Sequence, residues 1–557
     1  MIYRLILSIA LILVVSCKEK KQSANSETVL WQPYNDSAEV AANQAHEIKR
    51  MRYKLIQSKV LDKNEIFLPL YDEVYKFKES EYEVLKKFIL EQDIPTIQSH
   101  IADGKLSYEK LVLFYLFRIY KYELDSTTTL NTIIALNDNV VTEARKLDAL
   151  MAMSTSKKHH PIFGMPILLK DNIGTLGMKT TAGSIALIDN EVDDSFIAKQ
   201  LKKNGALILG KVNLSEWAYF LCDGCPYGYS AVGGQTLNPY GRKIFETGGS
   251  SSGSGTSVAS NYAVAAVGTE TSGSILSPSS QNSVVGLKPT IGLLSRTGIV
   301  PISSTLDTPG PMTKNVVDNA ILLSAMIGKD DEDAKSVDTN TNYLKSVLVK
   351  NSIEGKRFGA FKYLIEEDSI YKKTLEEMEL RGAEIIEFIP PDVKLKGFLS
   401  ILNIDMRNDL PKYLETHSDS SIVKIGSIFD AITFNASDSL VRIPYGQARF
   451  EGIVADSTTT MGLEKIKSTL EKNGRIFFDT AMDKFELDAI LSINNYHAGY
   501  AAVSKYPALT VPMGYKFTGE PINLTFIGKP FSEELLLQLG HAFEEAFPVR
   551  QMPRKYM

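Results

Sequence analysis

Chemistry-bearing residues crowd into two Gly/Ser-dense stretches, 248–257 (GGSSSGSGTS) and 268–274 (GTETSGS), separated by an Ala/Val-rich segment. A flexible linker joins domains across polar sequence, and an apolar frame so close on one side argues against that reading. A phosphate-cradling loop needs a Gly-Lys-Ser/Thr ending or a Gly-x-Gly-x-x-Gly spacing after a strand, and neither occurs here. Residues 249–253 match the G-x-S-x-G elbow of esterases, with Ser251 as nucleophile and His417, His497 or His541 as base. That motif needs an apolar strand just before the turn, whereas Asn238-Pro239-Tyr240-Gly241-Arg242-Lys243 precedes this one. Upstream, the apolar run Pro166-Ile167-Leu168-Leu169 ends at Lys170. Cys222 and Cys225 form a CxxC with no second pair or nearby histidine to complete a zinc site. His159, His160 and the other histidines show no metal-ligand spacing, so no metal is expected.

Taken together, the blocks resemble the amidase signature family. Residues 248–257, 268–275 (GTETSGSI) and 284–290 (VVGLKPT) are similar to its signature, and 164–172 (GMPILLKDN) to its lysine segment. Residues 213–218 (NLSEWA) and 233–236 (GGQT) also fit, and the likeness runs more loosely over 85–548. The resemblance implies a Ser–cis-Ser–Lys triad with Ser274 as nucleophile, Ser250 as bridging serine in a cis peptide and Lys170 as base. It places the oxyanion hole in the backbone of Thr271, Ser272, Gly273 and Ser274. Many members carry Gly where this chain has Ser272 and Arg where it has Leu276. The Glu270-Thr271 form and Gln281-Asn282 are closer to the bacterial peptide-amidase branch.

The physical logic also stands without the family. A serine hydroxyl attacks only when a neighbouring base takes its proton. A solvated lysine, with a pKa near 10.4, stays charged at neutrality, but burial beside Ile167, Leu168 and Leu169 disfavours the charged form. Asp171 and Glu270 read as scaffold hydrogen-bonders. Asp307, in the segment 306–311 (LDTPGP), is open to two roles, site residue or turn former.

Elements that position these residues follow the α/β rhythm. Buried strands are expected at 166–169 and 206–209, with a helix between them capped by Asp194, carrying Ile197 and Leu201 and ended by Gly205. Thr313 is expected to cap a helix bearing Val316, Ala320, Leu323 and Ile327. Further strands are expected at 384–388, 487–493, 509–511 and 524–527. Phe531 and Leu536 flank Ser532 like a hydrophobic staple. Residues 401–478 read as a mainly helical peripheral insertion. The expected fold class is α/β: a single large amidase-signature α/β/α layered domain with a central mixed sheet, preceded by a helical N-terminal region.

Composition sets outer limits. The 557 residues are 44% hydrophobic and 23% charged, which excludes wholesale disorder. A formal charge of −5 excludes a globally basic nucleic-acid binder. At the N-terminus, Arg4 precedes an apolar run from Leu5 to Val15, too short to span a bilayer and read as a secretory leader. Val14-Val15-Ser16-Cys17 resembles a bacterial lipobox, which implies lipidation of Cys17. The expected division is 1–17 lipoprotein signal, 18–30 flexible tether, 31–84 helical region, 85–548 amidase signature domain and 549–557 C-terminal tail.

The expected activity is cofactor-independent hydrolysis of a carboxamide C–N bond through an acyl-enzyme, with peptide C-terminal amides as one substrate class. The expected location is the cell envelope, periplasm-facing or at the surface. The absence of Asp after Cys17 favours the outer membrane, and the only membrane contact would be the lipid. Cys222 and Cys225 would suit a local disulfide in an exported chain. Two alternatives stand: a glutamine-hydrolysing amidotransferase subunit, against which export argues, and a non-catalytic binding lipoprotein with the amidase fold.

Overall fold

The structure is a computed structural model and describes residues 28–153, 158–339, 342–349 and 351–557. The expected leader, Cys17 and residues 18–27 of the tether lie outside the described residues. From Leu30 the chain is fastened, because the amides of Leu30 and Trp31 both donate to Asn64 Oδ1 (2.8 and 3.0 Å).

Eleven strands form one sheet. In chain order they are β1 (Ile133–Leu136), β2 (Pro166–Lys170), β3 (Leu207–Val212), β6 (Ala265–Glu270), β7 (Val285–Lys288), β8 (Thr308–Thr313), β9 (Arg357–Phe361), β10 (Glu384–Phe388), β11 (Ala489–Ile493), β12 (Ala508–Tyr515) and β13 (Pro521–Ile527). A separate hairpin pairs β4 (Tyr229–Ser230) with β5 (Gly234–Gln235). The spatial order is β1-β3-β2-β6-β8-β7-β12-β13-β11-β9-β10. The ladders β2–β3, β2–β6, β9–β10 and β9–β11 are parallel and the others antiparallel, so the sheet is mixed as expected.

Burial explains the strand sequences. β2 lies between β3 and β6, and all five of its residues are buried, which an unbroken aliphatic run tolerates and an alternating one does not. Helix Ser252–Ala259 packs on β2, β3 and β6. Its Gly253 sits where a Cβ would come within 2.4 Å of Asn213 O, so only glycine lets the helix start against the end of β3.

Several expected boundaries move by a residue or two. Helix Phe196–Lys203 is capped by Ser195, whose Oγ accepts the Ala198 amide, while Asp194 is spent on Thr175, Leu176 and Lys202. Asn315, not Thr313, caps helix Val316–Met326, because Thr313 belongs to β8. The staple before helix Glu533–Ala546 does not form: Phe531 is 56% exposed, and Ser532 Oγ donates back to Lys529 O. β8 itself replaces the turn expected around Pro309 and Pro311. Both prolines lie beyond the part of β8 that pairs with β7, so the missing N–H groups cost little.

The N-terminal helices share the main apolar core with the sheet; Phe67 packs edge-to-face on Tyr120. The C-terminal tail is also docked, with Tyr556 buried, its hydroxyl donating to Thr128 O (2.6 Å) and its carbonyl accepting from Arg118. The helices from 398 to about 470 form a second apolar cluster with Trp217, Leu306 and Val503, whereas Phe477, Phe478, Ala481 and Met482 of helix Thr460–Phe485 join the main core. Among the described residues no helix is long and apolar enough to cross a membrane.

Candidate active site

β2 carries Lys170 to its C-terminal end, beside the end of β6. The side chain is fully buried, and its Nζ donates to Ser250 Oγ (2.7 Å), Thr269 Oγ1 (2.8 Å) and Thr269 O (3.2 Å). Among the described residues no carboxylate pairs with it directly. Burial pulls the amine down from 10.5 to about 7, against the more distant charges of Asp307 and Glu270, which favour its protonated form. Thr269 Oγ1 is in turn held by Asn172 Nδ2 at 3.0 Å. Both Thr269 and Asn172 lie inside the quoted sequence blocks, yet only the geometry shows that they share the lysine's surroundings.

Ser250 is fully buried at the mouth of helix Ser252–Ala259, and the Gly249–Ser250 peptide is cis. Its carbonyl accepts the Ser215 amide at 3.0 Å. Ser251, the alternative nucleophile, is a buried structural residue: its Oγ donates to Thr269 O (3.0 Å) and accepts from Thr269 N (3.1 Å). His497 is committed elsewhere, to Ser492 Oγ and Tyr363 Oη at 2.6 Å each.

Ser274 lies in the loop between β6 and helix Leu276–Gln281 and is half-buried. Its carbonyl accepts the amide of Ser251 at 3.1 Å, which brings the two serine-bearing loops together. Its hydroxyl makes no hydrogen bond among the described residues, so the direct Ser250–Ser274 link is not formed in this state. The loop is shaped by Glu270, whose carboxylate accepts the amides of Gly273 (2.7 Å), Ile275 (2.7 Å) and Leu276 (3.0 Å). Gly273 therefore departs from its expected part in the oxyanion hole, because its N–H is already donated to Glu270. The amides of Ser272 and Ser274 meet no acceptor among the described residues.

Asp307 faces the loop that bears Ser274 and is more than a turn former. Its carboxylate accepts Thr271 Oγ1 (2.6 Å) and the amides of Ile302 and Ser303 (2.8 Å each). Burial raises its pKa to about 6. Asp171 is a scaffold residue, ion-paired to Lys211 at 3.0 Å with both side chains wholly buried, and bonded to Thr181. Cys222 and Cys225 are joined as a disulfide, with Cα atoms 5.9 Å apart. Among the described residues no group of His, Cys, Asp and Glu is placed to hold a metal ion.

A cavity of about 870 Å³ opens between helix Thr460–Phe485 and the second apolar cluster. Leu306, Ile401 and Val503 line it, together with Lys335, Glu471 and Arg475. None of Lys170, Ser250 and Ser274 lines it.

The Amidase family model matches residues 111–406. The chain belongs to the amidase family. An Arabidopsis thaliana protein named as a probable amidase is 34% identical over 84% of this chain and 92% of its own. The crystal structure of an amidase family protein from Bacillus anthracis superposes with a TM-score of 0.84 at 36% identity, covering 89% of this chain and 99% of that one. The native peptide amidase of Stenotrophomonas maltophilia gives 0.76 at 33% identity, over 83% and 98%. A glutamyl-tRNA(Gln) amidotransferase subunit from Zymomonas mobilis is 30% identical over 83% of this chain and 98% of its own. As an amidase, the protein is a hydrolase of amide C–N bonds, built on one α/β domain with a mixed central sheet.

Proposed function

We propose that this amidase cleaves carboxamides through Ser274, Ser250 and Lys170, with the C-terminal amides of peptides as its substrates. One observation carries the mechanism: a buried lysine with its pKa near 7 lies 2.7 Å from the hydroxyl of Ser250. The neutral amine takes the Ser250 proton as Ser250 takes that of Ser274, and Ser274 Oγ bonds to the substrate carbonyl carbon. The oxyanion is received by the free amides of Ser272 and Ser274, where fixed donors stabilise charge as it develops. Collapse breaks the C–N bond, and the proton returns from Lys170 through Ser250 to the departing nitrogen, releasing ammonia. Water then attacks the acyl-enzyme by the same relay, giving the free acid and restoring Ser274. Formation of this relay requires the Ser274 hydroxyl to rotate towards Ser250. The peptide-amide class is supported by the likeness to the S. maltophilia peptide amidase.

An ammonia-release screen over peptide amides, amino-acid amides, aryl amides and glutamine tests the proposal. Peptide amides should be the best substrates, and covalent labelling by a serine-directed probe should vanish in Ser274→Ala. Preferential turnover of glutamine would favour the amidotransferase reading, which the Z. mobilis relative supports. Absence of labelling and turnover would favour a binding-only protein.

The leader and Cys17 support placement in the cell envelope with the lipid as the sole membrane contact. Cys17→Ala should then shift the protein from the membrane fraction to the soluble one. An unchanged distribution would overturn the anchor.

A further inference from the structure

Gly273 immediately precedes Ser274, and its φ of +91° is a left-handed conformation that favours glycine. Space imposes a second demand, because a Cβ here would lie 3.0 Å from Asn495 Nδ2, 3.6 Å from Asn495 Cβ and 3.5 Å from Ala498 Cβ. The Asn495 side chain therefore lies along the loop that bears Ser272 and Ser274.

Everything around Asn495 is tied down. Asn494, at φ +49°, donates its amide to Asn523 O (3.0 Å) and accepts the Asn523 amide on Oδ1 (2.9 Å). Its carbonyl accepts Thr525 Oγ1 at 2.5 Å. The Tyr496 amide donates to Ile493 O and the Ala498 amide to Asn495 O, both at 3.0 Å. His497 is held on both ring nitrogens by Ser492 and Tyr363. Against this background the Asn495 carboxamide has no partner among the described residues, and it is half-buried rather than splayed into solvent. By contrast, the neighbouring asparagines of the sheet ends, Asn172, Asn213, Asn494 and Asn523, all have side-chain partners.

We propose that Asn495 is a substrate-binding residue, its carboxamide pairing with the main-chain peptide group that precedes the amide cleaved at Ser274. This rests on the peptide-amide reading above and adds to it the residue that selects peptides. The chemistry fits in either orientation of the side chain, since a carboxamide offers an N–H donor and a C=O acceptor to a peptide group that carries the same two. Cleavage of a primary amide leaves only ammonia on one side of the scissile bond, so the recognised peptide group belongs to the acyl portion. A simple alkyl carboxamide has nothing to offer Asn495.

Binding and turnover test this separately. In Ser274→Ala, where turnover is abolished, calorimetry compares an N-acetyl dipeptide amide with an alkyl carboxamide of equal length. The dipeptide amide should bind at least about tenfold more tightly, on the scale of one or two hydrogen bonds. Adding Asn495→Ala should erase that margin. Asn495→Asp, which keeps the size and loses the donor, should reduce it. In the protein with Ser274 intact, Asn495→Ala should cost the dipeptide amide at least about tenfold more in kcat/KM than the alkyl amide, mainly through KM. An undiminished margin, equal losses on both ligands, or no binding of the dipeptide amide to Ser274→Ala would each overturn the assignment. Binding that depends on Asn495 in a protein that hydrolyses no amide would instead sink the catalytic reading and leave this one standing.

Discussion

The hydroxyl of Thr271 donates to the carboxylate of Asp307 at 2.6 Å, fastening the loop that leads into Ser274 to the turn at Ile302 and Ser303. The same carboxylate is the strongest charge acting on Lys170, supporting the protonated amine against burial. Asp307→Asn should therefore lower the pKa of Lys170. Activity needs the neutral amine, so the acid limb of kcat/KM should move to lower pH. The plateau should change little, because an amide oxygen has two lone pairs for the Ile302 and Ser303 N–H groups and the amide N–H can donate to Thr271 Oγ1. A pH–rate profile checks both, and a limb that stays in place or moves upward would remove the electrostatic link.

In the unaltered protein, log kcat/KM should rise with pH at unit slope and level off near pH 7, where Lys170 loses its proton. Lys170→Ala and Ser274→Ala should each lose at least about two orders of magnitude in kcat. Lys170→Arg should be no better, since guanidinium stays charged at every accessible pH. Rates matching the parent would remove both assigned roles.

Lys211 and Asp171 form an ion pair with no exposure on either side chain, next to Lys170 in sequence and space. Burial pushes the Lys211 amine pKa down, and Asp171 holds it up. Lys211→Met strands a carboxylate in the interior and should cost roughly 3–5 kcal/mol. The double change Lys211→Met with Asp171→Asn should cost less than the sum of the two single changes. Denaturant unfolding of the set measures the coupling, and strict additivity would argue against a functional pair.

Glu216 is buried, and its pKa is raised from 4.5 to about 8, chiefly by loss of solvent. Its Oε2 accepts the Ala231 amide at 2.8 Å, a bond that only partly offsets the loss of solvent. Between those two pH values the native chain holds a proton that the unfolded chain has released. This group therefore makes stability fall as pH rises through the window, by up to about 1.4 kcal/mol per pH unit. Glu216→Gln should flatten that part of the stability–pH curve. Parallel curves for parent and variant would show that the acid is already ionised.

The legible part of this molecule is its short-range chemistry. A solid aliphatic run is what a strand buried on both faces requires, so β2 and β3 can be read directly, and Gly205 marks the turn before β3. β8 escapes such a reading because two prolines signal a turn locally, and only the assembled sheet shows that they lie beyond its pairing with β7. Asp194 and Thr313 are plausible caps that lose to neighbours better placed by the tertiary structure. Lys170, Ser250 and Ser274 emerge through resemblance, since a lone lysine or serine carries no signal of its own. The tie between Asp307 and Thr271 spans 36 residues. Asn495 is more distant still from the signature blocks, and no local pattern announces either relationship.

The helices from 398 to about 470 keep their own apolar cluster, while Phe477, Phe478, Ala481 and Met482 join the core that supports the sheet, and Lys170, Ser250 and Ser274 all come from outside this helical block. The groups assigned to bond-breaking thus lie outside this block of helices. A relative could therefore carry a different set of helices there while inheriting an untouched reaction centre.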